Sequence, residues 1–136
     1  MQNTPAPQDA PPVVGVIDPD PVARNGLRTL LHGLGIDVST FDSAESYLLA
    51  ANGRHLGCLI VDLLLPGMSG LELLRRLRSA GNDVPVILLA DESDVPTAVA
   101  AMREGATDFI EKPFGDVAIL KQLQKLLHVP PKASNA

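Results

Sequence analysis

The stretch GCLIVDLLLPGMSGLELLRRLRSAG, residues 57–81, decides the fold of this chain. Its first five residues are apolar almost throughout, as expected of a strand that is covered on both faces. Ser69 and Glu72 have the spacing of a capping box, and the leucines that follow recur at helical spacing until Gly81. The stretch therefore predicts a buried strand at 57–61 and a helix at 71–80, which together form one βα unit.

The same unit recurs on both sides of this stretch, and glycines or capping residues separate the elements. Five βα units with apolar strands predict an α/β protein with a flavodoxin-like (βα)5 doubly wound parallel sheet in strand order 2-1-3-4-5. The other predicted strands are 13–17, 36–41, 84–90 and 107–111, and the other predicted helices run from Val22 to Gly33 and over 44–52, 95–104 and 115–128, with Ser43 and Asp94 as caps.

Composition limits the class of protein. The chain has 136 residues, a formal net charge of −5, and only one tyrosine and three phenylalanines as aromatic residues. An acidic surface with few aromatics argues against nucleic acid or an anionic membrane as the main partner. The single cysteine, Cys58, excludes an internal disulfide. Because no signal peptide and no apolar run of ~20 residues is present, we expect a cytoplasmic protein.

Proline-rich ends flank the predicted folded region. Residues 1–12 hold few large apolar side chains and cannot bury enough surface to offset the entropy of ordering them. We therefore expect a flexible N-terminal arm at 1–12, one folded domain at 13–129 and a flexible C-terminal tail at 130–136.

Charged residues follow the predicted strands at the edge where ligands of such sheets bind. Asp18 and Asp20 follow the first strand, Asp62 follows the third and Lys112 follows the fifth. Because the first and third strands are expected to be neighbours, Asp18 and Asp62 should face each other in one crevice. Gathered carboxylates repel unless a cation joins them, and their oxygens suit Mg²⁺. The lysine can pair with a carboxylate or with an incoming phosphoryl group.

Each of these residues also has a structural interpretation. Asp18 before Pro19 can cap the first helix, since proline is common at the first helical position. Lys112 before Pro113 can be an ordinary turn residue. Asp62 stands between apolar runs, which favours a functional role. The remaining charges are interpreted as surface or capping residues: Asp20, Asp91, Glu92, Asp94, Arg75, Arg76 and Arg78.

The order of the motifs identifies a family. VDLLLPGMSGLELL at 61–74, VPVILLA at 84–90 and DVPTAVAAMREGATDFIEKPF at 94–114 follow one another. Together they resemble the CheY-like receiver domain of two-component response regulators, and most closely the FixJ-like receivers that precede LuxR-type DNA-binding domains. The resemblance covers residues 13–128, so the domain at 13–129 is expected to be a receiver.

This resemblance implies a role for each site residue. Asp62 would accept a phosphoryl group from a histidine kinase or a phosphotransfer protein, and Lys112 would contact the phosphoryl oxygens. Asp18 and Asp62 would hold Mg²⁺. The peptide bond between Lys112 and Pro113 would be cis, and Phe109 would be the aromatic residue that swings inward on activation. Such a domain is not an ordinary enzyme; it catalyses at most its own phosphorylation and dephosphorylation.

Two positions depart from the family pattern. The family places two adjacent acids after the first strand, but Pro19 replaces the acid that normally binds Mg²⁺ directly and offers no side-chain oxygen. Asp20 is a candidate substitute ligand. However, successive side chains on a helix point about 100° apart, so Asp20 would point away from the direction of the side chain at position 19. Ala90 stands at the end of the fourth strand, where the family has a threonine or serine hydroxyl. We therefore expect weaker Mg²⁺ binding and a weaker conformational switch.

Three hypotheses follow. The first is an atypical receiver that is phosphorylated at Asp62, and the second is a pseudo-receiver that acts as a protein interaction module without phosphorylation. A nucleotide or flavin binder is the third, which the absence of a glycine-rich loop after the first strand disfavours. The surface of helix 4, strand 5 and helix 5 is a candidate homodimer face, which would include Val99, Met102, Arg103, Ile110 and Lys121.

Overall fold

The computed structural model describes residues 13–50 and 56–127. The predicted arm at 1–12, the tail at 130–136, and the last residues predicted for helices 2 and 5 lie outside these ranges. The strands are β1 (Val13–Ile17), β2 (Asp37–Phe41), β3 (Cys58–Asp62), β4 (Val86–Ala90) and β5 (Asp108–Glu111). The helices are α1 (Pro21–His32), α2 (Ala44–Ala50), α3 (Gly70–Ser79), α4 (Val95–Met102) and α5 (Asp116–Leu127).

All five strands are parallel and lie in the order β2-β1-β3-β4-β5, which confirms the predicted fold class. The strand order reverses between β1 and β3, where ligand sites of such sheets lie. Ile17 pairs with Val61, and Asp62 pairs with Leu89 on β4. The register therefore brings the carboxyl ends of β1, β3 and β4 side by side.

Two apolar clusters fill the space between the sheet and its helices, one on each face. Neighbouring residues of a strand point to opposite faces, so Phe109 packs against one cluster and Ile110 belongs to the other. Ile110 is consequently buried, and its predicted place on an exposed dimer face is wrong. Cys58 lies fully buried in β3, and this burial raises the pKa of its thiol to about 12.

The helix starts show which acids cap. Asp20 is the N-cap of α1, where its carboxylate accepts the Val22 N–H at 3.0 Å, and Pro21 occupies the first helical position. The interpretation that Asp18 caps this helix is therefore wrong. The predicted capping box of Ser69 and Glu72 is confirmed at the start of α3.

The connection around β4 differs from the prediction. This strand begins at Val86 rather than at 84, because Pro85 has no N–H and the Val84 N–H is bonded to the Asn82 side chain. A 3₁₀ turn over Glu92–Asp94, which the sequence pattern did not indicate, precedes α4. Asp94 is the N-cap of α4 by position, but its side chain makes no capping hydrogen bond.

Two arginines of α3 contact the segment that follows α4. The Arg75 guanidinium donates to both carboxylate oxygens of Glu104 at 2.6 and 2.9 Å. Arg78 donates to the Gly105 carbonyl at 3.1 and 2.8 Å. Arg75 is exposed, as predicted for a solvated helix face, whereas Arg78 is half-buried, and both hold the segment after α4 against α3.

Candidate functional site

Asp18 follows β1 and is 1% exposed. One carboxylate oxygen, Oδ1, accepts the Asp20 N–H at 2.9 Å, whereas Oδ2 has no hydrogen-bond partner among the residues that the structure describes. Burial raises the pKa of this carboxyl, and the Asp20 N–H and the Lys112 ammonium only partly oppose that rise. Asp18 is therefore an acid held in the interior with one oxygen that accepts no hydrogen bond from the described residues.

Asp62 is the last residue of β3 and is 8% exposed. Its Oδ1 accepts the Leu64 N–H at 3.0 Å, so the loop that follows the strand fixes one oxygen of the carboxylate. Its Oδ2 lies 2.7 Å from the Lys112 ammonium. Both oxygens thus have a defined direction before any ligand binds.

Lys112 follows β5 and reaches across to both acids. Its Nζ lies 2.7 Å from Asp62 Oδ2 and 3.8 Å from Asp18 Oδ2. Partial burial lowers the pKa of Lys112, but the hydrogen bond and charge of Asp62 outweigh this and the net shift is upward. The ammonium therefore stays charged at neutral pH. The peptide bond between Lys112 and Pro113 is cis, and the Lys112 N–H donates to the Ala90 carbonyl at 2.8 Å.

The three strand ends thus bring Asp18, Asp62 and Lys112 together, as the sequence predicts. Asp20 does not join them, because it is exposed and caps α1. Pro19 is exposed and adds no side-chain ligand. In the described ranges, no group of three or more histidine, cysteine, aspartate or glutamate residues forms a ready metal site.

Ala90 and Phe109 lie on neighbouring strands behind this site. Ala90 ends β4 and is 1% exposed, and Phe109 is a half-buried residue of β5 that packs against the cluster to which Ala90 belongs. The methyl group of Ala90 offers no hydrogen-bond donor toward the site. The structure therefore places an apolar side chain, with no hydroxyl group, at the end of β4.

Three residues near the site were not found by sequence reasoning. The Arg24 side chain donates to the Asp18 carbonyl at 2.6 Å, and the Glu45 carboxylate accepts the Met68 N–H at 2.8 Å. A Cβ on Gly70 would lie 2.7 Å from the Asp62 carbonyl oxygen, so only glycine allows α3 to start this close to the strand. Only Gly70 has a local sequence signal, since it directly follows the helix cap.

Comparison with known proteins identifies the class. A family model of the response regulator receiver domain matches residues 14–124. The chain therefore belongs to the receiver domains of response regulators, the regulatory modules of two-component signalling, which receive signals from histidine kinases or phosphotransfer proteins. Within the described ranges, no helix has the length and apolar character to span a membrane.

Its relatives include several transcriptional regulators. The chain is 38% identical over 112 residues to the transcriptional regulatory protein FixJ of Bradyrhizobium diazoefficiens. The aligned region covers 82% of this chain and 55% of that protein. The FixJ protein of Azorhizobium caulinodans is 43% identical over 114 residues, covering 84% and 54%. A crystal structure of full-length FixJ from B. japonicum superposes with a TM-score of 0.81 at 36% identity, covering 88% of this chain and 60% of that one. The chain spans about half the length of these curated relatives.

Receiver domains generally use Mg²⁺ in phosphorylation. The residues at this site fit that ion with two carboxylates as protein ligands. The unpaired Oδ2 of buried Asp18 beside Asp62 is the kind of oxygen that a hard cation satisfies. Mg²⁺ in proteins is commonly held by one or two carboxylates together with waters and phosphate oxygens. Asp18 and Asp62 would supply the two carboxylates, whereas the exposed Pro19 has no side-chain oxygen to add.

Proposed function

We propose that this chain is an atypical receiver domain that accepts a phosphoryl group at Asp62 from a histidine kinase or a phosphotransfer protein in the cytoplasm. The observation that carries the proposal is the triad at the carboxyl edge of the sheet. There the Lys112 ammonium lies 2.7 Å from the buried Asp62 carboxylate and 3.8 Å from the buried Asp18 carboxylate, at the point where the strand order reverses. This arrangement joins an oxygen nucleophile to a cation that can contact phosphoryl oxygens.

Each residue of the site has a different role in phosphoryl transfer. An Asp62 carboxylate oxygen forms a bond to phosphorus while the bond from phosphorus to the donor nitrogen breaks, and the electron pair of that bond leaves with the imidazole. Lys112 contacts the phosphoryl oxygens and offsets their charge. Mg²⁺, held by Asp18 and Asp62, would neutralise further charge on the transferred group. Hydrolysis of the acyl phosphate returns the carboxylate.

We propose that the metal site is weakened by Pro19. Pro19 directly follows the buried Asp18, so introducing an acid at position 19 tests the idea directly. Pro19→Asp should bind Mg²⁺ more tightly than the wild type, as followed by titration of chemical shifts near Asp62. Micromolar affinity in the wild type, or no gain in Pro19→Asp, would contradict this part of the proposal.

We also propose that phosphorylation switches this domain weakly. A modification shifts a conformational equilibrium only through contacts that differ between the two states. The Ala90 methyl group makes no hydrogen bond to a phosphoryl oxygen, so Lys112 and the metal are the remaining groups that sense it. Beryllofluoride, a mimic of the phosphoryl group, should change few chemical shifts around Phe109 and α4. Ala90→Thr should enlarge that response.

The decisive experiment is intact-mass analysis after incubation with acetyl phosphate and Mg²⁺. The proposal requires the mass of one phosphoryl group on the wild type and none on Asp62→Asn. Pro19→Asp serves as the gain-of-ligand variant and should be phosphorylated faster. If the wild type stays unmodified and Pro19→Asp is modified, the chain's own metal site is too weak and the second candidate below is favoured.

The second candidate is an interaction module that works without phosphorylation. Pro19 and Ala90 favour it, because they remove one group for metal binding and one for switching. Its contact surface would be the face of α4, β5 and α5, where Val99, Met102 and Val117 are 49%, 37% and 66% exposed. We propose this face for a homodimer, which sedimentation at high protein concentration tests. A monomer under those conditions would contradict the dimer.

A further inference from the structure

The loop between β3 and α3, residues 63–69, controls how Asp62 is presented. The Leu64 N–H fixes Asp62 Oδ1 at 3.0 Å, and the Gly70 N–H bonds the Leu63 carbonyl at 3.0 Å, which closes the loop at its base. The Ser69 capping box holds its far end to α3. These contacts all come from the loop itself or from the elements that it joins.

Two contacts come from elsewhere in the chain: the Leu63 N–H donates to the Leu89 carbonyl of β4 at 2.8 Å, and the middle of the loop is bound by a side chain of α2. Glu45, in the first turn of α2, extends its carboxylate over the loop, and Oε2 accepts the Met68 N–H at 2.8 Å. Gly67 lies directly beneath it with φ of +75°, and a Cβ there would lie 2.6 Å from the same oxygen. Glycine at 67 thus serves both the left-handed backbone and the close approach of the carboxylate. Glu45 is exposed, but its carboxylate approaches the loop backbone so closely that a side chain at position 67 would collide with it.

We propose that Glu45 is a positioning residue for phosphoryl transfer to Asp62. It fixes the middle of the loop through the Met68 N–H. The loop in turn holds the Leu64 N–H against Asp62 Oδ1, which directs Oδ2 toward Lys112. Glu45 does not touch the reacting atoms and acts only through this backbone path. The inference rests on the proposed phosphorylation of Asp62, but the backbone path can be measured separately.

The test compares Glu45→Ala with Glu45→Gln. The alanine variant leaves the Met68 N–H without its acceptor, whereas the glutamine side chain keeps an oxygen of the same reach. Asp83→Ala is the matched control, since it also removes an exposed carboxylate but from the loop before β4, far along the chain from this contact. Three quantities are measured in each variant: amide exchange at Leu64 and Met68, the rate of phosphorylation by acetyl phosphate, and the midpoint of thermal unfolding.

In Glu45→Ala we expect both amides to exchange about tenfold faster, since local opening no longer breaks a hydrogen bond to a charged group. Phosphorylation should slow by roughly three- to tenfold, because a misdirected nucleophile loses part of the benefit of orientation. Glu45→Gln should restore both properties to near the wild-type values, and Asp83→Ala should change neither. A purely structural brace would lower the thermal midpoint of Glu45→Ala without changing its phosphorylation rate.

The outcomes distinguish this inference from the proposed function. If Met68 exchanges faster in Glu45→Ala while Leu64 exchange and the phosphorylation rate stay at wild-type values, Glu45 braces the loop only and the inference is overturned. If the wild type is not phosphorylated, the proposed function fails. Exchange at Leu64, together with beryllofluoride binding at Asp62, then decides whether Glu45 positions the carboxylate.

Discussion

We expect Asp18→Asn to raise the free energy of unfolding in metal-free buffer, because it removes a buried charge that the fold only partly compensates. The carboxylate is 1% exposed, one of its oxygens has no hydrogen bond among the described residues, and Asp62 repels it. Asparagine is nearly the same size, and its amide oxygen can keep the 2.9 Å bond to the Asp20 N–H. The substitution therefore changes charge with little change of packing.

The size of this gain in the free energy of unfolding depends on the cost of burying the Asp18 charge and on the attraction that offsets it. Removing an ion from water costs several kcal/mol in a protein interior even after relaxation. The Lys112 ammonium at 3.8 Å returns about 4 kcal/mol at an effective dielectric constant of about 20, which offsets most of that cost, and the bond to the Asp20 N–H is kept in the variant and cancels. Because the amide nitrogen of the variant would face Lys112 without a bond, we expect a net gain of only about 1 kcal/mol. For a domain of this size that raises the thermal midpoint by about 4 °C.

The difference in free energy of unfolding between Asp18→Asn and the wild type should increase as the pH rises. The folded protein holds the Asp18 proton more tightly than the unfolded chain does, since burial raises the pKa of this carboxyl. The wild type therefore loses stability as pH rises from the ordinary aspartate pKa through the raised folded value, whereas the asparagine variant does not. The two proteins should be equally stable in acid, where both side chains are neutral, and should differ most at neutral pH.

Urea unfolding in EDTA at several pH values measures this difference. Asp20→Asn is the matched control: asparagine caps helices as well as aspartate does, and this exposed residue should leave stability nearly unchanged. Adding Mg²⁺ should stabilise the wild type and reduce the advantage of Asp18→Asn. If Asp18→Asn destabilises the fold at neutral pH in EDTA, the Lys112 attraction outweighs burial and the reasoning is refuted.

Three further predictions concern the surroundings of the site. Gly70→Ala should lower the free energy of unfolding by about 2 kcal/mol in urea, because its Cβ would lie 2.7 Å from the Asp62 carbonyl oxygen; an unchanged midpoint would contradict this close contact. Arg75→Ala should increase amide exchange at the end of α4 in low salt, and that increase should shrink in high salt, while Arg76→Ala should have no effect. Lys112→Ala should slow modification of the domain by acetyl phosphate, because it removes the ammonium that lies 2.7 Å from Asp62, and an unchanged rate would count against its contact with the phosphoryl oxygens.

The sequence predicted the fold because each element has a local signal. Apolar runs marked the strands, and the capping box at Ser69 marked the start of α3. Parallel strands end at one edge, so the meeting of Asp18, Asp62 and Lys112 followed from the strand order alone. These were inferences from periodicity and topology, which the sequence records directly.

What the sequence could not predict depends on side-chain directions across distant elements. The bond from the Met68 N–H to Glu45 joins residues 23 positions apart, and no spacing rule links them. The pairing of Arg75 with Glu104 is likewise a matter of how α3 lies against the end of α4. The interpretation of Asp18 as the cap of α1 arose because Pro19 and Pro21 both fit the first helical position, and only the backbone distinguishes them.

The burial of Cys58 makes the rate at which its thiol is alkylated a measure of how often β3 opens. The thiol is fully buried on the strand that ends at Asp62, and its pKa is about 12, so almost none of it is the reactive thiolate at neutral pH. An alkylating reagent can modify it only after β3 has separated from its neighbours. The alkylation rate of the wild type therefore reports how often the strand that ends at Asp62 opens, with no dye or engineered residue. The same rate, measured in each variant named above, compares how often that strand opens in each of them.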